Sequence, residues 1–312
     1  MNESKPFPIT TGFFAMPLGL GGLGLAWLNA SAISPYATMI GNIIAGVSVL
    51  LWAVLLGCYI FRTFFCLEQI KAEFTHPVQC CLFSLVTMTT MISGDVLYVW
   101  GFSLGKWLIF SGTAIHLIFL VVVIGGLWKG TQFLPETLHP VHYLPPIAAS
   151  FTIASSLGLL GYSEIAAFFL GIGMISWLVH EPIMLQRIRL SPLFPIARPS
   201  LGIVLAPSFV GTSAYFTMGG EMSLFAKMLW GYGFLQLGFI LRNAKWVAEN
   251  GFSMGFWAFS FGLAAMARGA VEFYQFEPLS FIGLAGFMIA NLGIGLLLIF
   301  TLKLWLKQKA VK

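Results

Sequence analysis

Long apolar runs of roughly twenty residues follow one another along nearly the whole of this chain, and none alternates strictly between polar and apolar side chains. A helix rises about 1.5 Å per residue, so about 20 apolar residues cross a hydrocarbon core of about 30 Å. Backbone facing lipid must satisfy its own hydrogen bonds, which restricts a spanning chain to helices or closed barrels. Runs of this length without a period of two select helices. Composition removes the soluble alternative: 58% of the 312 residues are hydrophobic and 9% are charged, whereas a soluble domain carries about 25% charged side chains. The expected fold is an all-α polytopic membrane protein, one transmembrane domain over 1–312.

Ten spans are expected, at roughly 8–30, 38–62, 78–100, 106–128, 141–162, 163–185, 199–218, 222–243, 252–272 and 278–303. The opening MNESKPFPITTGFF has no basic n-region and no small-residue cleavage site, so the first span is expected to be retained. Of the 16 Lys and Arg, only Lys106, Lys227 and Arg268 fall on the side opposite the termini. The rest, Lys5, Arg62, Arg198, Lys245 and Lys312 among them, share the side of both ends. This bias places both termini in the cytoplasm. The net charge of +5 then describes a cytoplasmic rim beside anionic lipid, not a nucleic-acid partner. Cys58, Cys66, Cys80 and Cys81 cluster on that reducing side without a C-x-x-C spacing and are expected to be inert thiols.

The spans are of two kinds. The odd ones hold 18 Ser and Thr against nine in the even ones, and the interior prolines Pro17, Pro145, Pro146 and Pro207 are all in the odd set. Pro182 and Pro278 fall near the ends of even spans. A proline removes a backbone bond and kinks a helix. The freed carbonyl is tolerable only when it is buried in protein or beside water. Polar, kinked inner helices jacketed by apolar outer ones are expected. A weak repeat supports this: KPFP, HPV, HPV and RPS, at Pro6, Pro77, Pro140 and Pro199, precede successive odd spans, and Glu249-Asn250-Gly251 precedes the last. The step implies one helix hairpin per unit. Five such units would enclose a central passage; a compact bundle glued by polar contacts is the alternative.

TGFFAMPLGL, MTTMISGDVLY, HYLPPIAASFTIASSLGLLGY, GIVLAPSFV, LWGYGFLQL and WAFSFGLAAMA together resemble the tellurite-resistance/dicarboxylate transporter family, which takes in bacterial tellurite-resistance proteins and the slow anion channels of plant guard cells. The resemblance covers essentially the whole chain. It implies ten helices in five hairpins, kinked odd helices around an anion pore in each protomer, a homotrimer, and a bacterial inner-membrane location. It also implies a gate: the second aromatic of Trp257-Ala258-Phe259-Ser260-Phe261 matches the phenylalanine that occludes the pore, so Phe261 is the expected plug. Ala15 stands where relatives commonly have glycine, and Thr87 stands near a position where they commonly have proline. Pro17, Pro145 and Pro207 are the expected kinks, and Ala15, Ala258 and Ala265 the small wall residues.

Helix geometry bears on the same residue. Positions two apart differ by about 200° round a helix, so Phe259 and Phe261 face different neighbours. Phe261 shares its side with Met254, Ala258, Ala264, Ala265 and Arg268, with Trp257 as its other bulky member; Phe259 shares its side with Phe252, Phe256, Leu263, Met266 and Ala270. The more polar, smaller face suits a pore, and Phe259 suits helix contact.

The acids of the odd spans, Asp95 and Glu272, lie near outer ends, which leaves the middle without fixed charge. That argues against a carboxylate proton relay and for weak selection of anions by hydroxyl and backbone donors and by basic mouths. Asp95 is expected to be a hydrogen-bonded interfacial carboxylate, His116 an interhelical partner, His139 and His142 a loop cap, and Arg268 and Glu272 a pair across one helical turn. No H-E-x-x-H, G-x-S-x-G, P-loop or strand-to-helix dinucleotide fingerprint is present, so neither an enzyme nor a cofactor or metal is expected. The expected activity is passage of small anions such as chloride, nitrate and, as a candidate, tellurite. A proton-coupled dicarboxylate or oxyanion carrier remains the alternative.

Overall fold

The computed structural model describes residues 9–130 and 137–310; Lys5, Pro6 and Lys312 lie outside the described residues. Among the described residues there is helix and turn but no strand. Among the described residues nine helices are long and apolar enough to cross a membrane: α1 (Thr11–Leu28), α2 (Ala37–Phe65), α3 (Cys80–Val99), α4 (Ser103–Lys129), α6 (Ser163–Leu190), α7 (Pro195–Thr217), α8 (Leu224–Arg242), α9 (Met254–Gln275) and α10 (Ser280–Lys307). The segment between α4 and α6, α5 at 140–159, is helical in three consecutive stretches, Pro140–Tyr143, Leu144–Ala148 and Ala149–Leu159. It is not among the nine, because Pro145, Pro146 and its Ser and Thr residues lower its apolarity.

α6 continues past Pro182 to Leu190, so that proline is interior and not terminal as the sequence suggested. Between α2 and α3 lies a short helix, Leu67–Thr75. It is tied back to α2 by Arg62, which donates to both Glu73 carboxylate oxygens at 3.1 and 2.6 Å.

The two kinds of helix differ in burial. In α1, α3, α7 and α9, 61 to 78% of the apolar window is buried, against 17 to 33% in the even helices; α5 is buried along most of its length. Exposed Ile43, Leu50, Val121, Phe168, Ile175 and Leu292 give the even helices an apolar outer face suited to lipid. Each odd helix packs against the even helix that follows it, and the odd helices meet one another in the cyclic order α1, α3, α5, α7, α9 and back to α1. Glycine makes two of these approaches possible. A Cβ on Gly19 of α1 would lie 2.3 Å from the Ser260 side chain of α9, and one on Gly24 would lie 2.8 Å from the Ala45 backbone of α2.

A structural repeat also emerges. Every odd helix opens with a 3-10 turn: Thr11–Phe14, Cys80–Leu82, Pro140–Tyr143, Pro195–Ser200 and Met254–Phe259. No even helix does. The proline-bearing loops that precede α3, α5 and α7 thus lead into the same tightened start.

Candidate functional site

Two cavities lie inside the ring of odd helices, and all five of those helices line each of them. The larger, of about 310 Å³, is bounded near the helix starts by Ala15, Leu85, Leu144, Ala206 and Ala258, among others. The smaller, of about 30 Å³, is bounded by Gly22, Ile92, Thr152, Ser155, Val210, Ser213, Ala264, Ala265 and Arg268. Among the described residues that line them, Phe261 alone borders both. No carboxylate is among those lining either cavity.

The position of Phe261 follows from what holds α9. The Ser260 hydroxyl is shared between the Ala15 carbonyl of α1 at 2.9 Å and its own helix's Trp257 carbonyl at 2.7 Å. The buried Trp257 indole donates to Thr301 Oγ1 of α10 at 2.9 Å. With α9 pinned on both flanks, the next residue projects into the ring. Phe259 turns the other way. A Cβ on Gly202 of α7 would lie 2.6 Å from its ring, and the ring stacks with Phe256 at a centroid distance of 6.2 Å.

Ala15 and Ala258 border the larger cavity and Ala265 the smaller, so these three and Phe261 are brought together. Pro17, Thr87, Pro145 and Pro207 border neither; they lie in the helix contacts behind. The Pro17 carbonyl accepts from Ser48 Oγ of α2 at 2.7 Å. Pro145 stands in a stretch wound as π-helix, and its carbonyl accepts from His116 Nε2 of α4 at 3.0 Å. α7 is interrupted at Leu205, two residues before Pro207. Thr87 bonds back to the Ser84 carbonyl at 3.0 Å and meets His116 Nδ1 at 2.9 Å, while α3 runs unbroken through it. Thr89, Thr152, Thr212 and Thr217 likewise donate to carbonyls four residues back. The hydroxyls of the odd helices therefore serve backbone more than they face open space.

The charged groups near the ends of α3 and α9 are held within the protein. Asp95, expected as a hydrogen-bonded carboxylate, is wholly buried. Ser156 Oγ donates to its Oδ2 at 3.0 Å, and its Oδ1 has no partner. Arg268 forms no ion pair with Glu272 among the described residues. Its Nη1 donates to Ser155 Oγ of α5 at 3.1 Å, while Glu272 lines a separate recess with Glu221 and Gln275. Arg268 lies seven residues, nearly two full turns, after Phe261 and so follows it into the ring, whereas Glu272, one turn further on, stands with Phe216 and Phe276 near the end of α9.

His139 and His142 cap the start of α5: Val141 N–H donates to His139 Nδ1 at 3.3 Å, and His139 N–H donates to His142 Nδ1 at 3.2 Å. His139 also borders the larger cavity. Burial, with His142 and Arg187 nearby, lowers its pKa to about 4, so it is neutral there. The four cysteines are free thiols; the buried Cys80 and Cys81 Sγ atoms lie 3.6 and 3.7 Å from the Pro77 carbonyl.

One cluster was missed in the sequence. Glu181 of α6 accepts from Tyr143 Oη at 2.7 Å, Trp177 Nε1 at 2.9 Å, Tyr232 Oη at 2.6 Å and Gln236 Nε2 at 2.8 Å, joining α5, α6 and α8. Only the spacing of Trp177 four residues before it signals the cluster along the chain.

A family model described as "Voltage-dependent anion channel", SLAC1, matches residues 8–302. The chain is 43% identical over 303 residues to a protein of Haemophilus influenzae named "Tellurite resistance protein TehA homolog", covering 97% of this chain and 92% of that one. It is 25% identical over 292 residues to the "Guard cell S-type anion channel SLAC1" of Arabidopsis thaliana, covering 87% of this chain and 50% of the plant protein. With the "S-type anion channel SLAH2" of the same plant, identity is 23% over 294 residues, covering 86% and 52%. The chain spans about half the length of these two plant proteins.

Proposed function

This chain is a multi-pass membrane protein of the SLAC1 voltage-dependent anion channel family, and from that premise we propose that it is a gated anion channel of the bacterial plasma membrane. Passage is passive and weakly selective for small inorganic anions such as chloride and nitrate, and Phe261 occludes it. The observation that carries this reading is the position of Phe261 between two cavities that are each lined by all five odd helices. The walls support anions over cations, since the titratable side chains on them are Arg268 and the neutral His139. The remaining polar lining is hydroxyl and backbone, which binds ions weakly enough to release them.

In this reading α5 also crosses the membrane, making ten helices in five hairpins, both termini are cytoplasmic, and protomers associate as a homotrimer. The resemblance in the sequence supports the trimer. The printed name of the Haemophilus influenzae relative, which speaks of tellurite resistance, keeps an oxyanion or proton-coupled dicarboxylate carrier as the second reading.

Currents through wild type and Phe261→Ala in a planar bilayer, under opposed chloride and proton gradients, separate the two. A channel gated by Phe261 gives a strongly conducting variant whose reversal potential follows chloride alone. A silent variant, with wild type moving dicarboxylate in step with protons, overturns the channel.

A further inference from the structure

We propose that the small cavity beyond Phe261 is a binding site for a single halide-sized anion, with the Arg268 guanidinium as its charge. The inference rests on the reading of the ring as an ion path, and it adds a specific site to that path. A guanidinium carries five N–H donors. The structure gives Arg268 one donated hydrogen bond, Nη1 to Ser155 Oγ at 3.1 Å, and among the described residues no ion pair. Its side chain borders the cavity, so donors remain for an occupant.

Two adjacent serines divide the charges. Ser155, on the cavity wall, accepts from Arg268 and donates to Thr217 Oγ1 at 3.4 Å. Ser156, next along α5, donates instead to Asp95 Oδ2 at 3.0 Å. Asp95 is wholly buried and is not part of the wall. The positive charge therefore stands on the cavity and the negative charge behind it. The carboxylate offsets part of the cost of holding a cation at this depth, and its field weakens the hold on an anion, as conduction requires.

Size suits a small ligand. The cavity, of about 30 Å³, exceeds the roughly 10–15 Å³ that one water needs, so it takes a monatomic anion with its shell replaced by Arg268, Ser155 and Ser213.

The test is bromide soaked into crystals of the full chain, with anomalous scattering read at the small cavity. Wild type is expected to show a bromide peak within hydrogen-bond reach of Arg268. The peak weakens in Arg268→Lys and disappears in Arg268→Gln. An ordered Arg268 with no bromide in wild type overturns the site, as does a peak unchanged in Arg268→Gln. In parallel, the chloride concentration giving half-maximal conductance should rise about tenfold when Arg268→Gln is added to Phe261→Ala, as expected for losing one charged hydrogen-bonding partner. If Phe261→Ala carries no current while the bromide peak is present, the channel reading fails and the site stands. If current flows and wild type holds no bromide, the site fails and the channel stands.

Discussion

Phe261 and Phe259 are chemically identical and two positions apart, yet they meet different surroundings: one borders both cavities, and the other rests on Gly202 and Phe256. Substitutions should separate them. Phe261→Ala should raise anion conductance with little change in thermal stability, since its ring faces cavity on both sides. Phe259→Ala should leave conductance low while costing about 1–3 kcal/mol, less than a fully buried Phe→Ala because the ring is partly exposed. Single-channel recording paired with thermal unfolding in detergent checks both, and equal conductance in the two variants would refute the assignment. His139 supplies a second prediction at this scale. Its folded pKa of about 4 lies below the ordinary value of 6.5. Above pH 6.5 the imidazole is neutral folded and unfolded. As pH falls from about 6.5 towards 4, only the unfolded chain takes the proton, so stability is lost in that window by at most about 1.4 kcal/mol per pH unit. His139→Gln should flatten that slope, measured as unfolding temperature against pH. The face carrying Phe261, Ala265 and Arg268 was legible from the helical period alone. That Arg268 would reach Ser155 and not Glu272 was not legible, because its partner is 113 positions away and only the ring brings the two together.

Each odd helix begins in a 3-10 turn, and Gly251, in the loop before α9, has φ +75°. The alternation of Ser and Thr and the approximate positions of nine spans were readable, because they depend on local composition and period. The π-wound stretch of α5 at Leu144–Ala148 and the break at Leu205 were not, since such local windings depend on tertiary neighbours, as where His116 of α4 meets the Pro145 carbonyl. Close helix contact was legible only as glycine content; the structure distinguishes the glycines that matter. On α10, a Cβ at Gly283 would lie 2.3 Å from the Tyr274 backbone nitrogen and 2.6 Å from the Ala270 carbonyl of α9, while Gly295 has open space. Backbone cannot rotate away as a side chain can. Gly283→Ala should therefore destabilise the protein by about 1–3 kcal/mol, whereas Gly295→Ala should be neutral or stabilising by up to about 1 kcal/mol through helix propensity. Unfolding midpoints of the two variants, which differ only in where one methyl is added to the same helix, decide this.

Among the described residues, nine helices meet the length and apolarity of a membrane span and α5 does not; whether α5 also crosses decides whether the two ends of the chain share a side. Apolarity measures suitability for lipid. A helix surrounded by protein has no such requirement, and α5 is such a helix: it is packed against α3, α6 and α7 and buried along most of its length. Were α5 to stop short of crossing, α3 and α7 would lose the neighbour through which the ring closes, and every Lys and Arg after it would change sides. The clustering of Arg187, Arg198, Lys245 and Lys303 with Arg62 would then be split between the two faces, against the cytoplasmic bias of basic residues. The ten-span reading keeps them together. It follows that reporters fused to the two ends should agree. Green fluorescent protein at either terminus should fluoresce, and alkaline phosphatase at the carboxyl terminus should be inactive, because the first matures in the cytoplasm and the second outside it. A phosphatase that is active at the carboxyl terminus, with the amino terminus cytoplasmic, would mean nine crossings, leave α5 re-entrant, and remove the proposed five-hairpin pore on which the proposed gating by Phe261 depends.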